Sequence, residues 1–172
     1  MSPSWDLFLT IFFVVGIAYG MMLQRERTVV TTVAIYVSLV LTSLLTEPVS
    51  GFFTGETTIS SFFVNSSVSP FSIQAALFIG FIILIQTKSG LSGESGRGLL
   101  SPVEVFSYSF LNTALIVSTL IAFLPEQSQA AMLEQSNMAS LITRYEMWWL
   151  ILPVVALVFF GWNRNPFTNR SY

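Results

Sequence analysis

The chain has 172 residues, 53% hydrophobic and 9% charged, with a formal net charge of −2 and neither Cys nor His. Soluble domains carry roughly 25% charged residues, so this composition, with a mean hydropathy of +0.71, excludes an ordinary water-soluble fold and points to a lipid bilayer as the solvent. The acidic balance leaves no basic field for nucleic acid, the missing thiols and imidazoles remove disulfides, thiolate metal sites and the commonest general base, and the length fits one bundle without a separate catalytic domain.

The first residues, Met1-Ser2-Pro3-Ser4-Trp5-Asp6, lack a basic n-region and a small-residue cleavage site. The apolar run that follows therefore reads as a retained helix rather than a secretory signal. That run, 7–23, and the next, 28–46, carry no charge and are separated by a short turn holding Arg25, Glu26 and Arg27. A bilayer core of about 30 Å needs about 20 apolar residues as a helix, so the two runs predict a transmembrane hairpin. Gly16 and Gly20 form Gly-x-x-x-Gly, a spacing that lets another backbone approach closely; the second helix is the expected neighbour. The second run is rich in Thr, Ser and Val. In water this favours a strand, but an unclosed strand in lipid leaves its backbone unpaired, so a helix is expected. Thr31, Thr32, Ser38, Thr42 and Ser43 read as interhelical or self-bonded hydroxyls.

Glu47-Pro48 predicts the end of helix two. Residues 49–70 are apolar but interrupted, and the pattern leaves both an interfacial and a re-entrant course open. A third span follows over 71–87, with Ala76 and Gly80 repeating the small-x-x-x-small spacing. Residues 88–98 hold Lys88, Arg97 and several Gly and Ser residues. They read as a flexible connector, because a phosphate-cradling loop needs its Lys-Ser after the glycines and a strand before them. Ser101-Pro102-Val103-Glu104 has the N-cap, N1 proline and N3 glutamate of a helix start, opening a fourth span over 105–124. Asn112 lies within it and is expected to bond another helix. Residues 127–144 have the alternation of an amphipathic helix on the membrane surface or capping the bundle. A fifth span, 147–162, is short, contains Pro153 and is flanked by Trp148, Trp149 and Trp162 as interface anchors.

The predicted fold is thus an all-α polytopic membrane bundle of about five spans forming a single transmembrane domain over 1–172. Arg25 and Arg27, Lys88 and Arg97, and Arg164 and Arg170 fall in alternate flanking segments, leaving only Arg144 of the seven basic residues opposite. The positive-inside rule then places the N-terminus outside and the C-terminus in the cytoplasm.

Asp6 before an apolar helix, the Arg25-Glu26-Arg27 turn, the second helix, and the Lys88-Ser89-Gly90-Leu91-Ser92-Gly93 loop with Arg97-Gly98 before a fourth helix together resemble the bacterial CvpA (colicin V production) family. The resemblance covers about residues 5–145 in architecture. The letters depart from the family: Gly20 precedes the arginines by five residues, the family's Gly-x-x-x-Gly in the fourth helix is missing, with Phe106, Phe110 and Ala114 in its place, and the fifth span is additional. The resemblance implies a bacterial inner-membrane protein of export or envelope function, without established catalytic residues.

The expected role is a non-enzymatic structural or accessory subunit, partnered by the bilayer and by other membrane subunits or itself, with no cofactor, metal or nucleic acid. A small oligomeric pore or transporter component is the alternative, resting on the polar residues of helices two and four. An intramembrane enzyme is disfavoured. Glu104 and Glu146 sit at helix ends, without the paired carboxylate or activated nucleophile that such chemistry needs.

Overall fold

A computed structural model describes residues 5–22, 25–54, 69–88 and 102–162. Among them are seven helices and no strand: α1 (Trp5–Met22), α2 (Arg25–Thr54), α3 (Pro70–Lys88), α4 (Pro102–Ala122), α5 (Glu126–Gln135), α6 (Asn137–Arg144) and α7 (Glu146–Trp162). The readings of residues 55–68 and 89–101 and of the tail beyond 162 lie outside the described residues, as does the cap expected at Ser101.

Among the described residues four helices are long and apolar enough to cross a membrane, and α6 with α7, bent by 63° at their break, is either a broken fifth span or a re-entrant pair. Their packing is that of a protein dissolved in lipid. Large apolar side chains point outward, among them Phe8, Val14, Leu44, Val158 and Phe159, while Thr28, Thr32, Ser38, Ser109, Asn112 and Thr113 are buried. In water this arrangement would waste hydrophobic burial and strand polar groups. In a bilayer it follows directly. Lipid tails are as apolar as leucine, so helices associate through close packing and hydrogen bonds rather than by hiding apolar surface.

α4 is the axis of the bundle. α1, α2, α6 and α7 all pack on it, and α3 lies outside, against α2. At one end, Leu9 and Phe13 of α1 meet Ala114, Val117 and Ile121 of α4 and Met132, Ala139 and Ile142 of α5 and α6. In the middle, Ile35, Phe78, Ile82 and Leu115 join α2, α3 and α4. At the opposite end, Val105 and Tyr108 pack with Val29 and with Ala156, Leu157 and Phe160 of α7. The helices therefore alternate in direction. The end of α1, the start of α2, the end of α3 and the start of α4 share one end; Asp6, α5 and α6 share the other.

Three sequence expectations are corrected. The runs 7–23 and 28–46 do not pack as a hairpin along their length: after the turn they diverge, α1 onto α4 and α2 onto α3 and α4. Pro48 does not end helix two, which continues to Thr54. A proline removes one amide and crowds one carbonyl, whereas unwinding in or near lipid exposes several unpaired backbone groups. At 30 residues and 1.5 Å rise, α2 is about 45 Å long, so it outreaches the hydrocarbon core. Finally, 127–144 is two helices. Ser136 interrupts them in extended geometry, φ −135° and ψ 116°, and caps α6 by accepting from the Ala139 amide.

Candidate functional site

The polar residues converge on a seam along α4. Ser109 and Thr113 lie one turn apart, each hydroxyl donating to the carbonyl four residues earlier, Val105 at 2.7 Å and Ser109 at 2.8 Å. Turning the hydroxyl back onto its own helix leaves a small, flat surface. Gly16 and Gly20 of α1 sit on that surface. A Cβ on Gly16 would stand 2.5 Å from Thr113 Oγ1, and one on Gly20 would overlap Ser109 Oγ. The glycine face is real, but its neighbour is α4, not the second helix as the sequence suggests. The Thr113 and Ser109 positions carry the complementary small-x-x-x-small pattern.

Asn112 points the other way, to α2. Its Nδ2 donates to the Thr28 carbonyl at 3.2 Å and its Oδ1 accepts from Thr32 Oγ1 at 2.9 Å. Both ends of the carboxamide are therefore used, one turn of α2 apart. The network extends outward: Gln86 Nε2 of α3 donates to Thr31 Oγ1 at 3.1 Å, and Thr31 donates to the Arg27 carbonyl at 2.8 Å. α7 is fastened by two tyrosines. Tyr36 donates to the Leu150 carbonyl at 2.5 Å and Tyr108 to the Ala156 carbonyl at 3.1 Å. These carbonyls flank Pro153, which is buried and supplies no amide to its own helix.

A second polar cluster closes the other end. Asp6 accepts from Ser136 Oγ at 2.5 Å and from the Met138 amide at 3.1 Å. The start of α1 thus holds the N-terminus of α6, where exposed amides and the helix dipole favour a carboxylate. Trp149 Nε1 donates to the Ile142 carbonyl at 3.0 Å, so this indole bolts α7 to α6 rather than serving only as an interface anchor. Phe110 bridges Phe13 and Trp149, at ring-centroid distances of 5.8 and 6.1 Å.

A cleft of about 290 Å³ opens between α1 and α3, walled by Val15, Tyr19 and Ile83 and floored by Asn112 and Thr113. No sequence signal marks it; it exists because α1 and α3 pack on different sides of α4 and α2. The remaining expected positions are placed as follows. Ala76 and Gly80 face outward, and a Cβ on Gly80 would meet nothing within 4 Å, so this pair packs on no other helix among the described residues. Arg25 opens α2, and Arg27 and Lys88 are exposed at the same end of the bundle. Arg97, Arg164 and Arg170 lie outside the described residues. Among the described residues, no group of three or more His, Cys, Asp or Glu is placed to hold a metal ion.

Comparison with protein-family models, with curated proteins and with solved structures finds no match to this chain. The bilayer setting therefore rests on the helices themselves: apolar faces turned outward and a polar seam turned in identify a membrane-embedded helical bundle.

Proposed function

We propose that this bundle is a non-enzymatic structural or accessory subunit of a membrane assembly, CvpA-like in build. Its membrane is the bacterial inner membrane, with the N-terminus outside and the C-terminus in the cytoplasm. The observation that carries the reading is Asn112. It is the central amide of the seam, and it spends both of its polar ends on α2. Intramembrane polar groups that serve transport or catalysis are typically ionisable and face a water-filled cavity. Here the seam contains amides and hydroxyls, used to fasten helices. The basic residues Arg25, Arg27 and Lys88 at one end support the orientation through the positive-inside rule.

The test is affinity capture of the full chain from native membranes after mild solubilisation, with quantitative mass spectrometry. A membrane partner at fixed stoichiometry is the expected result. Recovery of a monomer without partners contradicts it, and a discrete homo-oligomer shifts the weight to the pore reading below. One observation favours a second reading, a small oligomeric pore or transporter component: Asn112 and Thr113 border the α1–α3 cleft. Ion flux through proteoliposomes that disappears in Asn112→Leu, with the variant still folded, would select that reading.

A further inference from the structure

α6 and α7 meet at a bend, and the core shows how deep each of them goes. α6 contributes Ala139 and Ile142 to the cluster at the Asp6 end and nothing to the other two. α7 passes all three: Trp149 packs in the first, Leu150 in the second, and Ala156, Leu157 and Phe160 in the third. A re-entrant pair would turn back before the far end, whereas α7 reaches the end that holds Val105. Its 17 residues rise about 25 Å, short of a hydrocarbon core of about 30 Å. The eight residues of α6 are inclined at 63° to α7, so they rise only about 5 Å along its axis. Together the two match the core, which puts α6 at the boundary between acyl chains and headgroups, closer to the membrane plane than to its normal. The side chains sort accordingly. Leu141, Tyr145 and Trp148 are exposed at spacings of four and three, and Ile151, Val155 and Val158 carry the same exposed line down α7. Asn137, Ser140 and Arg144 are the exposed polar positions of α6, and Ala139 and Ile142 are buried against the bundle. Tyrosine and tryptophan are enriched at this depth, where an apolar ring meets water.

We propose that the α6–α7 elbow is a seat for the lipid interface. Leu141, Tyr145 and Trp148 enter the lipid at the headgroup–acyl boundary, while Asn137, Ser140 and Arg144 face headgroups and water. The partner is the lipid surface rather than a second protein, because the apolar edge of the elbow continues, without a break, the stripe of α7 that faces hydrocarbon. The elbow is fixed from inside. Asp6 accepts from the Met138 amide at the start of α6, and Trp149 Nε1 ties α7 to the Ile142 carbonyl. Seating the outer edge in lipid therefore sets the depth of the whole bundle and holds α6 against α1 and α4. The proposal requires only that the chain is embedded in a bilayer. It holds whether or not the chain serves a larger complex.

The test uses the full chain in phosphatidylcholine liposomes. The sequence has no cysteine, so single spin labels are placed by Ser140→Cys, Leu141→Cys, Tyr145→Cys and Ile151→Cys. Collision rates with oxygen, which concentrates in lipid, and with a water-soluble nickel chelate then give the depth of each label. Leu141 and Tyr145 are expected on the lipid side, about 5–10 Å deep, with Ile151 about 9 Å deeper than Tyr145 and Ser140 in water. Thermal melting checks that each labelled protein is folded. A second measurement needs no label: quenching by phosphatidylcholine brominated near the glycerol end or near the methyl end, compared between the unmodified chain and Trp148→Phe. The fluorescence lost in Trp148→Phe is expected to be the part quenched more strongly by the shallow bromines. Nickel access at Leu141 equal to that at Ser140 overturns the proposal, because the elbow then stands clear of lipid. Leu141 as deep as Ile151 overturns it in favour of a re-entrant pair. Leu141 and Tyr145 reached by neither reagent, or Trp148 quenched more by the deep bromines, overturns it as well.

Discussion

Asn112 and the two glycines of α1 make opposite demands on α4, and substitutions there separate hydrogen bonding from close packing. Asn112→Leu removes both bonds to α2, yet the Thr28 carbonyl remains within reach of Thr32 Oγ1. Interhelical hydrogen bonds in membranes average under 1 kcal/mol each, so the expected loss is about 1–2 kcal/mol in a detergent-unfolding titration. Asn112→Asp is the harsher change, because it places a carboxylate against a carbonyl in a low-dielectric interior; about 3 kcal/mol is expected. Gly16→Ala forces a methyl against Thr113 and is expected to cost about 1–3 kcal/mol by overpacking. Gly80→Ala is the control. With open space around it, the same substitution within a helix is expected to be neutral or to stabilise by up to about 1 kcal/mol. Equal effects at Gly16 and Gly80 would contradict the assignment of the close contact. In the sequence the two small-residue pairs look alike. What separates them is the partner surface, and nothing in Gly16-x-x-x-Gly20 specifies Ser109 and Thr113 as its complement.

The elements differ in how much of them is legible in the chain. The start of α4 at Pro102 is dictated by local chemistry, since proline at the first helical position loses no bond. The ends of α1, α3 and α7 follow the apolar runs closely for the same reason: in lipid, the backbone must pair internally for as long as the chain remains in hydrocarbon. That rule also explains Pro48, where a signal that ends helices in water is overridden. The break at Ser136 was hidden for a different reason. Its determinant, Asp6, is 130 residues away in sequence, and an amphipathic pattern across 127–144 does not report a change in helix direction. Ser136→Ala removes both the N-cap of α6 and a donor to Asp6. Loss of such a cap costs about 1 kcal/mol, and the effect is expected to concentrate on α5 and α6. Hydrogen exchange should show faster exchange at the Met138 and Ala139 amides with the α4 seam unchanged. Uniform loss of protection across the bundle would mean that this end is not an independent clamp.

For the whole molecule, the membrane setting and the approximate span count were open to inference because they depend on summed hydropathy. Which helices touch was not, because lipid-facing and core-facing positions are both apolar in α1 and α3, and periodicity alone does not distinguish them. The bundle centred on α4 therefore emerges only from the paired small residues and from Asn112. The polar seam fastens helices and is not a water path. The chain has no cysteine, so single thiols report accessibility without background. The most direct measurement is the modification rate of Thr32→Cys, Ser109→Cys and Thr113→Cys by a small, charged, water-soluble thiosulfonate in native membranes, with a cysteine at Lys88 as the exposed reference. Rapid labelling is expected at Lys88→Cys, with no measurable labelling at the three seam positions in the folded protein. Labelling of the seam at rates close to the reference would show water along α4 and would contradict the packing role assigned to it.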